Sequence, residues 1–374
     1  MSNNNPPPRR GPFGCFLIAI LIASVFFNLI LCGVIFLPDP NREDAPIDEI
    51  HLYGKKTESN KIAVVKAEGP LVEGLDAHIL KQIETAGKDD NVKAIVVRID
   101  SPGGTIGASE EIHRELTRLR EGKHPRYPDW KAKPVVASMG SIAASGGYYI
   151  AMPAEKVFAE KGTLTGSIGV YAALPNAAKL ANDNGVKLEL IKAGDIKGSG
   201  SMLHTMTPQE RQPWQDMVDQ AYDQFLDVVV KGRPKLTKEQ MRNEKVMAKK
   251  ANEYDEKGNV VKNEMGQPKQ IDVSRYRADG GSFTAAEAKQ LGLIDDFGLL
   301  EDAVTAAAAS ANVSEYRVVT FKRPPTLLGA LFGIKSQPGN VPDLQHLANG
   351  LTPRIWYMAP GSELSGIIAA SGGK

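Results

Sequence analysis

Cysteine is almost missing from this chain: two occur in 374 residues, Cys15 and Cys32, both inside one apolar run, so the rest of the molecule has no disulfide to fold around. Histidine is scarce as well, at six: His51, His78, His113, His124, His204 and His346. No HExxH, no GxSxG elbow and no Walker lysine after a glycine loop is present, which takes away most support for zinc, histidine-triad and nucleotide chemistry. An excess of one charge is lacking too: Lys plus Arg number 45 against 44 for Asp plus Glu, so no basic footprint for a nucleic acid exists. There is no internal repeat and no low-complexity block that matters to mechanism.

What the chain does have first is an apolar run from Phe13 to Leu37, broken only by Gly14, Ser24, Asn28 and Gly33. As a helix it would reach roughly 37 Å, enough to cross a hydrocarbon layer of about 30 Å with some tilt. Arg9 and Arg10 precede it and a mostly acidic stretch follows, so the positive-inside bias puts the N-terminus in the cytoplasm and the bulk of the chain outside. The run is too long for a cleaved signal peptide and lacks an A-x-A-like exit. The expected organisation is a cytoplasmic segment at 1–11, an anchor at 12–37, a tether at 38–56, a folded domain at 57–322 with a polar insertion at about 248–282, and a tail at 323–374.

Within the folded domain, short β-branched runs ("KIAVVKAEG", "VKAIVVRID", "KPVVASMG", "EKVFAE", "VKLELIKAG") alternate with amphipathic stretches such as "ASEEIHRELTRLREG". This predicts an α/β fold with a mainly parallel sheet, whose functional groups lie at the carboxyl ends of strands. "TPQERQPWQDMVDQAYDQFLDVVVKGR" has a Thr cap, Pro at the first helical position and helical apolar spacing, which predicts one long helix.

Two post-strand loops are rich in glycine. "DSPGGTIG" (Asp100 to Gly107) leads into a helix, where amide groups suit an anion or oxyanion; its GGxxG spacing is not that of a dinucleotide loop. "SMGSIAASGGYYIAMPA" places Ser145 before a Gly-Gly pair, and the Gly146 amide beside it is a second donor. Ser138 and Ser141 suit local packing. A nucleophilic serine needs a base, and none of the six histidines stands in a Gly/Ser-rich turn beside a strand. "LIKAGDIKGSGSM" offers lysine instead, at Lys192 and Lys197. Enclosure without a counter-ion disfavours an ammonium, and only the neutral amine accepts a hydroxyl proton.

In this order, "DSPGG", "SMGSIAASGGYYIA", "TLTGSIGV" and "IKAGDIK" resemble the signal peptide peptidases of protease IV type in their short single-domain form. The resemblance covers roughly Lys61 to Lys322. It implies the Clp-protease/crotonase fold, Ser145 as nucleophile, Lys197 as general base and Ser167 as the residue that holds the lysine amine. It also implies Gly104 and Gly146 as oxyanion donors, and no metal or organic cofactor; Lys192 has no counterpart in that machinery. Implied partners are signal-peptide remnants and other short or unfolded apolar peptides, a bilayer met through the N-terminal helix, and further copies in a homo-oligomeric ring. The implied location is the cell membrane, single-pass, with the catalytic domain periplasmic. Two other readings use the same fold: an acyl-CoA enzyme of crotonase type, which needs neither Ser145 nor Lys197, and a non-catalytic membrane scaffold. "TPRIWYMAP", near the C-terminus, reads as a packing element or as a segment that visits a groove.

Overall fold

Residues 61 to 65, Lys-Ile-Ala-Val-Val, are buried without interruption, the mark of a strand covered on both faces rather than one. The computed structural model that shows this describes residues 21, 24, 25, 28, 47–255, 257–323 and 354–359. The anchor expected at 12–37 lies outside the described residues apart from four positions, and among the described residues no helix is long and apolar enough to cross a membrane. The chain divides into Met1–Ala45 and Pro46–Lys374, and the architecture below is that of the second unit.

Its elements run β1 (Asp48–Gly54), β2 (Lys61–Glu68), α1 (Ala77–Lys88), β3 (Val92–Ser101), β4 (Gly103–Thr105), α2 (Ile106–Glu121), β5 (Val135–Ala144) and the single turn α3 (Gly146–Tyr149). Next come β6 (Lys156–Ala159), β7 (Leu164–Gly166), β8 (Tyr171–Ala173), α4 (Ala178–Asp183), α5 (Pro208–Gly232) and α6 (Lys238–Asn243). The remainder is β9 (Lys245–Asn252), β10 (Gln270–Tyr276), β11 (Ser282–Thr284), α7 (Ala285–Gln290), β12 (Asp296–Phe297), α8 (Leu300–Ser310), β13 (Arg317–Lys322) and β14 (Arg354–Met358).

The main sheet has the order β1-β13-β2-β3-β5-β6-β12, with β7 beside β5 and β11 beside β7. All its pairings are parallel except β1 with β13 and β11 with β7. Alternation along β2 and β3 sends Ala63, Val65, Ile95 and Val97 to one face, against Ile83 of α1 and Ile112 of α2. Ile62, Val64, Ala94 and Val96 go to the other, against Ala303 and Ala307 of α8. The structure is therefore the mixed α/β, mostly parallel arrangement that the sequence predicts.

Four stretches differ from expectation. "VKLELIKAG" forms no strand: residues 186–192 have no regular structure and Ile191 is 99% exposed. Part of the 38–56 tether is β1, paired antiparallel with β13. Much of the polar insertion is an ordered β9–β10 hairpin. Residues 354–358 of the tail form β14, which joins β4 and β8 in a second sheet.

Candidate active site

The site begins where β5 changes neighbours. It runs beside β6 as far as Met139, opposite Ala159, then pairs with β7 from Ile142 opposite Leu164 to Ala144 opposite Gly166. Ser145 follows directly, with φ 54° and ψ −115°. A side-chain-bearing residue in that region stores about 1–3 kcal/mol of strain. Hydrogen bonds hold it there: Ser145 N donates to Gly166 O (2.8 Å), and Ser145 O accepts from Tyr149 N (2.8 Å). Ser145 is 1% exposed and its Oγ has no hydrogen-bond partner among the described residues. A buried hydroxyl left unpaired costs about 1–3 kcal/mol, so fold stability alone does not account for it.

Ser167 stands one residue beyond the Gly166 that holds Ser145. It also has positive φ (50°), is buried, and its Oγ donates to Gly280 O at 3.0 Å. An open cleft of about 610 Å³ lies alongside, lined by Ser167, Tyr171, Gly280, Gly281 and Met358 among others.

The two glycine turns meet. A side chain on Gly104 would begin 1.7 Å from Leu71 O, and one on Gly146 would begin 2.5 Å from Ser109 Oγ and 3.2 Å from Gly103 Cα. Only glycine lets the turns approach this closely. Gly104→Ala is therefore expected to destabilise the domain by about 3 kcal/mol or more, since a backbone carbonyl must move. Gly146→Ala, which first meets a rotatable hydroxyl, is expected to cost less, and urea unfolding of the two variants checks the order.

β14 lies antiparallel between β4 and β8, with Tyr357 opposite Gly104 and Trp356 opposite Tyr171. Ala359 N donates to Pro102 O (2.8 Å), while Leu71 on the other side of β4 takes up Gly103 O (2.9 Å) and Thr105 N (2.8 Å). Alternation along the ladder thus turns the Gly104 amide toward the Tyr357 carbonyl. That carbonyl oxygen is also 3.1 Å from the point where a Gly146 side chain would begin. The Tyr357 ring is fully buried, 4.7 Å from Phe225 and 5.2 Å from Tyr149 between centroids, and its hydroxyl donates to Ala221 O at 2.9 Å. Burial raises the pKa of this hydroxyl above the usual phenol range.

Ser145, Ser167, Gly104 and Gly146 thus come together in one chain, and Lys197 does not join them. Lys197 is exposed, its backbone N donates to Gly194 O (3.2 Å), and its ammonium has no partner among the described residues. No described histidine bonds to Ser145 Oγ. Burial holds His78 and His113 each down to about 4, and His124 Nε2 meets Glu115 Oε2 at 2.9 Å. Among the described residues no group of three His, Cys, Asp or Glu is placed to hold a metal ion.

The sequence profile described as Peptidase family S49 matches residues 129–258, a stretch that contains Ser145, Ser167 and Lys197. A protein of Synechocystis sp. named as a protease is 33% identical over 299 residues, 79% of this chain and 90% of its own length. The chain belongs to peptidase family S49. Protease 4 of Salmonella typhi is 30% identical over 74% of this chain, and the chloroplastic serine protease SPPA of Arabidopsis thaliana 30% over 72%. The S49 chain spans only 39% and 36% of those two longer proteins. It is a serine-type peptidase.

Two sets of contacts in this S49 chain, the pairing of β14 and the bonds of Glu210, escape a sequence reading. β14 is one: its partners β4 and β8 lie hundreds of residues away along the chain, and no local pattern announces them. The other is Glu210, legible as a helix cap from "TPQE" but not as the partner of Lys192 and His204.

Proposed function

We propose that this chain is a membrane-anchored endopeptidase of Clp/crotonase-type fold that cleaves extended apolar peptides, signal-peptide remnants among them, with a Ser145–Lys197 dyad. The observation that carries this reading is the Tyr357 carbonyl, which faces the Gly104 amide beside Gly146 and the unpartnered Ser145 hydroxyl. A backbone seated there in antiparallel register presents a peptide carbonyl to donors and nucleophile at once.

In the proposed reaction the Ser145 proton passes to the Lys197 amine as Oγ bonds to the carbonyl carbon. The amides of Gly104 and Gly146 take the negative charge on oxygen. Collapse expels the leaving amine, which receives the proton from Lys197. Water then attacks the acyl ester with the same proton transfer, releasing the new carboxyl end and restoring Ser145. The cleft beside Ser167 is open, and Lys197 is exposed with no partner among the described residues. Both support a ring in which the lysine of one copy enters the site of the next, where Ser167 Oγ holds the amine. The anchor at 12–37 then keeps the N-terminus in the cytoplasm and the ring on the periplasmic face.

β14 holds the place of a substrate strand. A tethered occupant competes at an effective concentration on the millimolar scale, so residues 354–374 are expected to raise the apparent KM for peptide. Removing them is expected to lower KM several-fold with kcat unchanged. A truncated protein that loses its cooperative unfolding and hydrolyses nothing would show β14 to be part of the core instead.

A further inference from the structure

The loop that carries Lys197 has no regular secondary structure between residues 186 and 192 and only bends and turns from 193 to 203. Yet it is not loosely attached. Five residues before Lys197, Lys192 Nζ donates to Glu210 Oε1 at 2.9 Å; seven residues after it, His204 Nε2 meets Glu210 Oε2 at 2.8 Å. Both shoulders of the loop are therefore fastened to one carboxylate.

Glu210 is 3% exposed, although it lies in the first turn of α5. A carboxylate enclosed to that degree is unfavourable unless paired and hydrogen-bonded, and here its partners are the two shoulders and the helix cap. Thr207 N donates to Glu210 Oε2 at 3.0 Å, and Thr207 Oγ1 accepts from Glu210 N at 3.2 Å. Ser199, two residues past Lys197, donates its hydroxyl to Glu210 O at 3.1 Å and accepts from Trp214 Nε1 at 2.5 Å. The Thr207 amide, Lys192 and His204 together hold the Glu210 carboxyl down at about 2. Helix capping needs only the Thr207 contacts. The bonds to Lys192, His204 and Ser199 fix the loop instead.

We propose that Glu210 is a positioning residue for Lys197, fixing the base-bearing loop on the start of α5 through Lys192 and His204. The inference rests on Lys197 being the base. It gives Lys192 a task outside the reacting atoms, and it predicts loss of turnover rather than of peptide binding, because the strand site between β4 and β8 is built without this loop.

The test is steady-state hydrolysis of an internally quenched apolar peptide by the full-length protein in detergent. Glu210→Gln is expected to lower kcat tenfold to a hundredfold with KM within twofold, the scale expected when a catalytic group shifts by about 1 Å. Lys192→Met is expected to do the same, and Lys192→Arg, which keeps the ion pair, to retain at least half of kcat. Thr237→Ala removes the cap hydroxyl of α6, which does not touch Glu210, and is expected to lower the melting temperature while leaving kcat within twofold. The inference is overturned by an unchanged kcat in Glu210→Gln or Lys192→Met, or by an equal fall in Thr237→Ala. Should Glu210→Gln fail to fold, the two Lys192 variants decide. Lys197→Met is measured alongside: if it keeps activity, the dyad itself is wrong, whereas an inactive Lys197→Met beside a normal Glu210→Gln removes only the anchoring role.

Discussion

Ser145→Ala is expected to reduce peptide hydrolysis by at least about 10³-fold, because no other group at the site forms the acyl intermediate. The same substitution is expected to leave stability unchanged or slightly higher, since the hydroxyl it removes is buried and has no hydrogen bond among the described residues to lose. The left-handed backbone persists in the variant, so its strain is common to both proteins. A serine kept for packing would behave in the opposite way, costing stability and sparing turnover. Paired measurements of kcat/KM and urea unfolding on the two proteins separate the cases.

Lys197→Met is expected to cause a loss of similar size, again at no cost to the fold, because the side chain is exposed and has no hydrogen bond or ion pair among the described residues. The decisive form of the experiment mixes two inactive proteins. Where serine and lysine come from neighbouring copies, rings assembled at random from equal amounts of Ser145→Ala and Lys197→Met regain intact sites, roughly a quarter of the total. Where both come from one chain, every chain carries a defect and the mixture stays inactive. Recovery after denaturation and joint refolding, absent when each protein is refolded alone, is the expected result.

Much of this site is legible in residues close together along the chain, and the remainder depends on contacts between distant ones. The parallel sheet could be predicted because Lys61–Glu68 and Val92–Ser101 are β-branched runs long enough for strands and separated by a helical stretch. The glycine turns at 103–104 and 146–147 could be read because close backbone approach after a strand demands that residue type. Val186 to Gly194 shows the limit. Its alternation is that of a strand, but alternation states only which side chains would share a face and says nothing of whether an edge is available to pair with. The enclosure expected for Lys197 is not found in the folded chain, where its side chain is exposed. Glu210 could be read as a cap from its spacing to Thr207, while its bonds to Lys192 and His204 arise only when the loop folds back on α5. β14 was open to two readings, packing or a visit to a groove, and the structure combines them: its aromatic ring packs while its backbone lies along the groove.

The central claim is that the Ser145 hydroxyl is the attacking group. An alkyl fluorophosphonate, which phosphonylates activated nucleophiles, tests it most directly when the labelled protein is digested and the adduct is mapped by mass spectrometry. The account predicts one adduct per chain, on Ser145, slowed by at least about 10²-fold in Lys197→Met. An adduct on another residue, or labelling of Ser145→Ala at the rate of the unaltered protein, would contradict it.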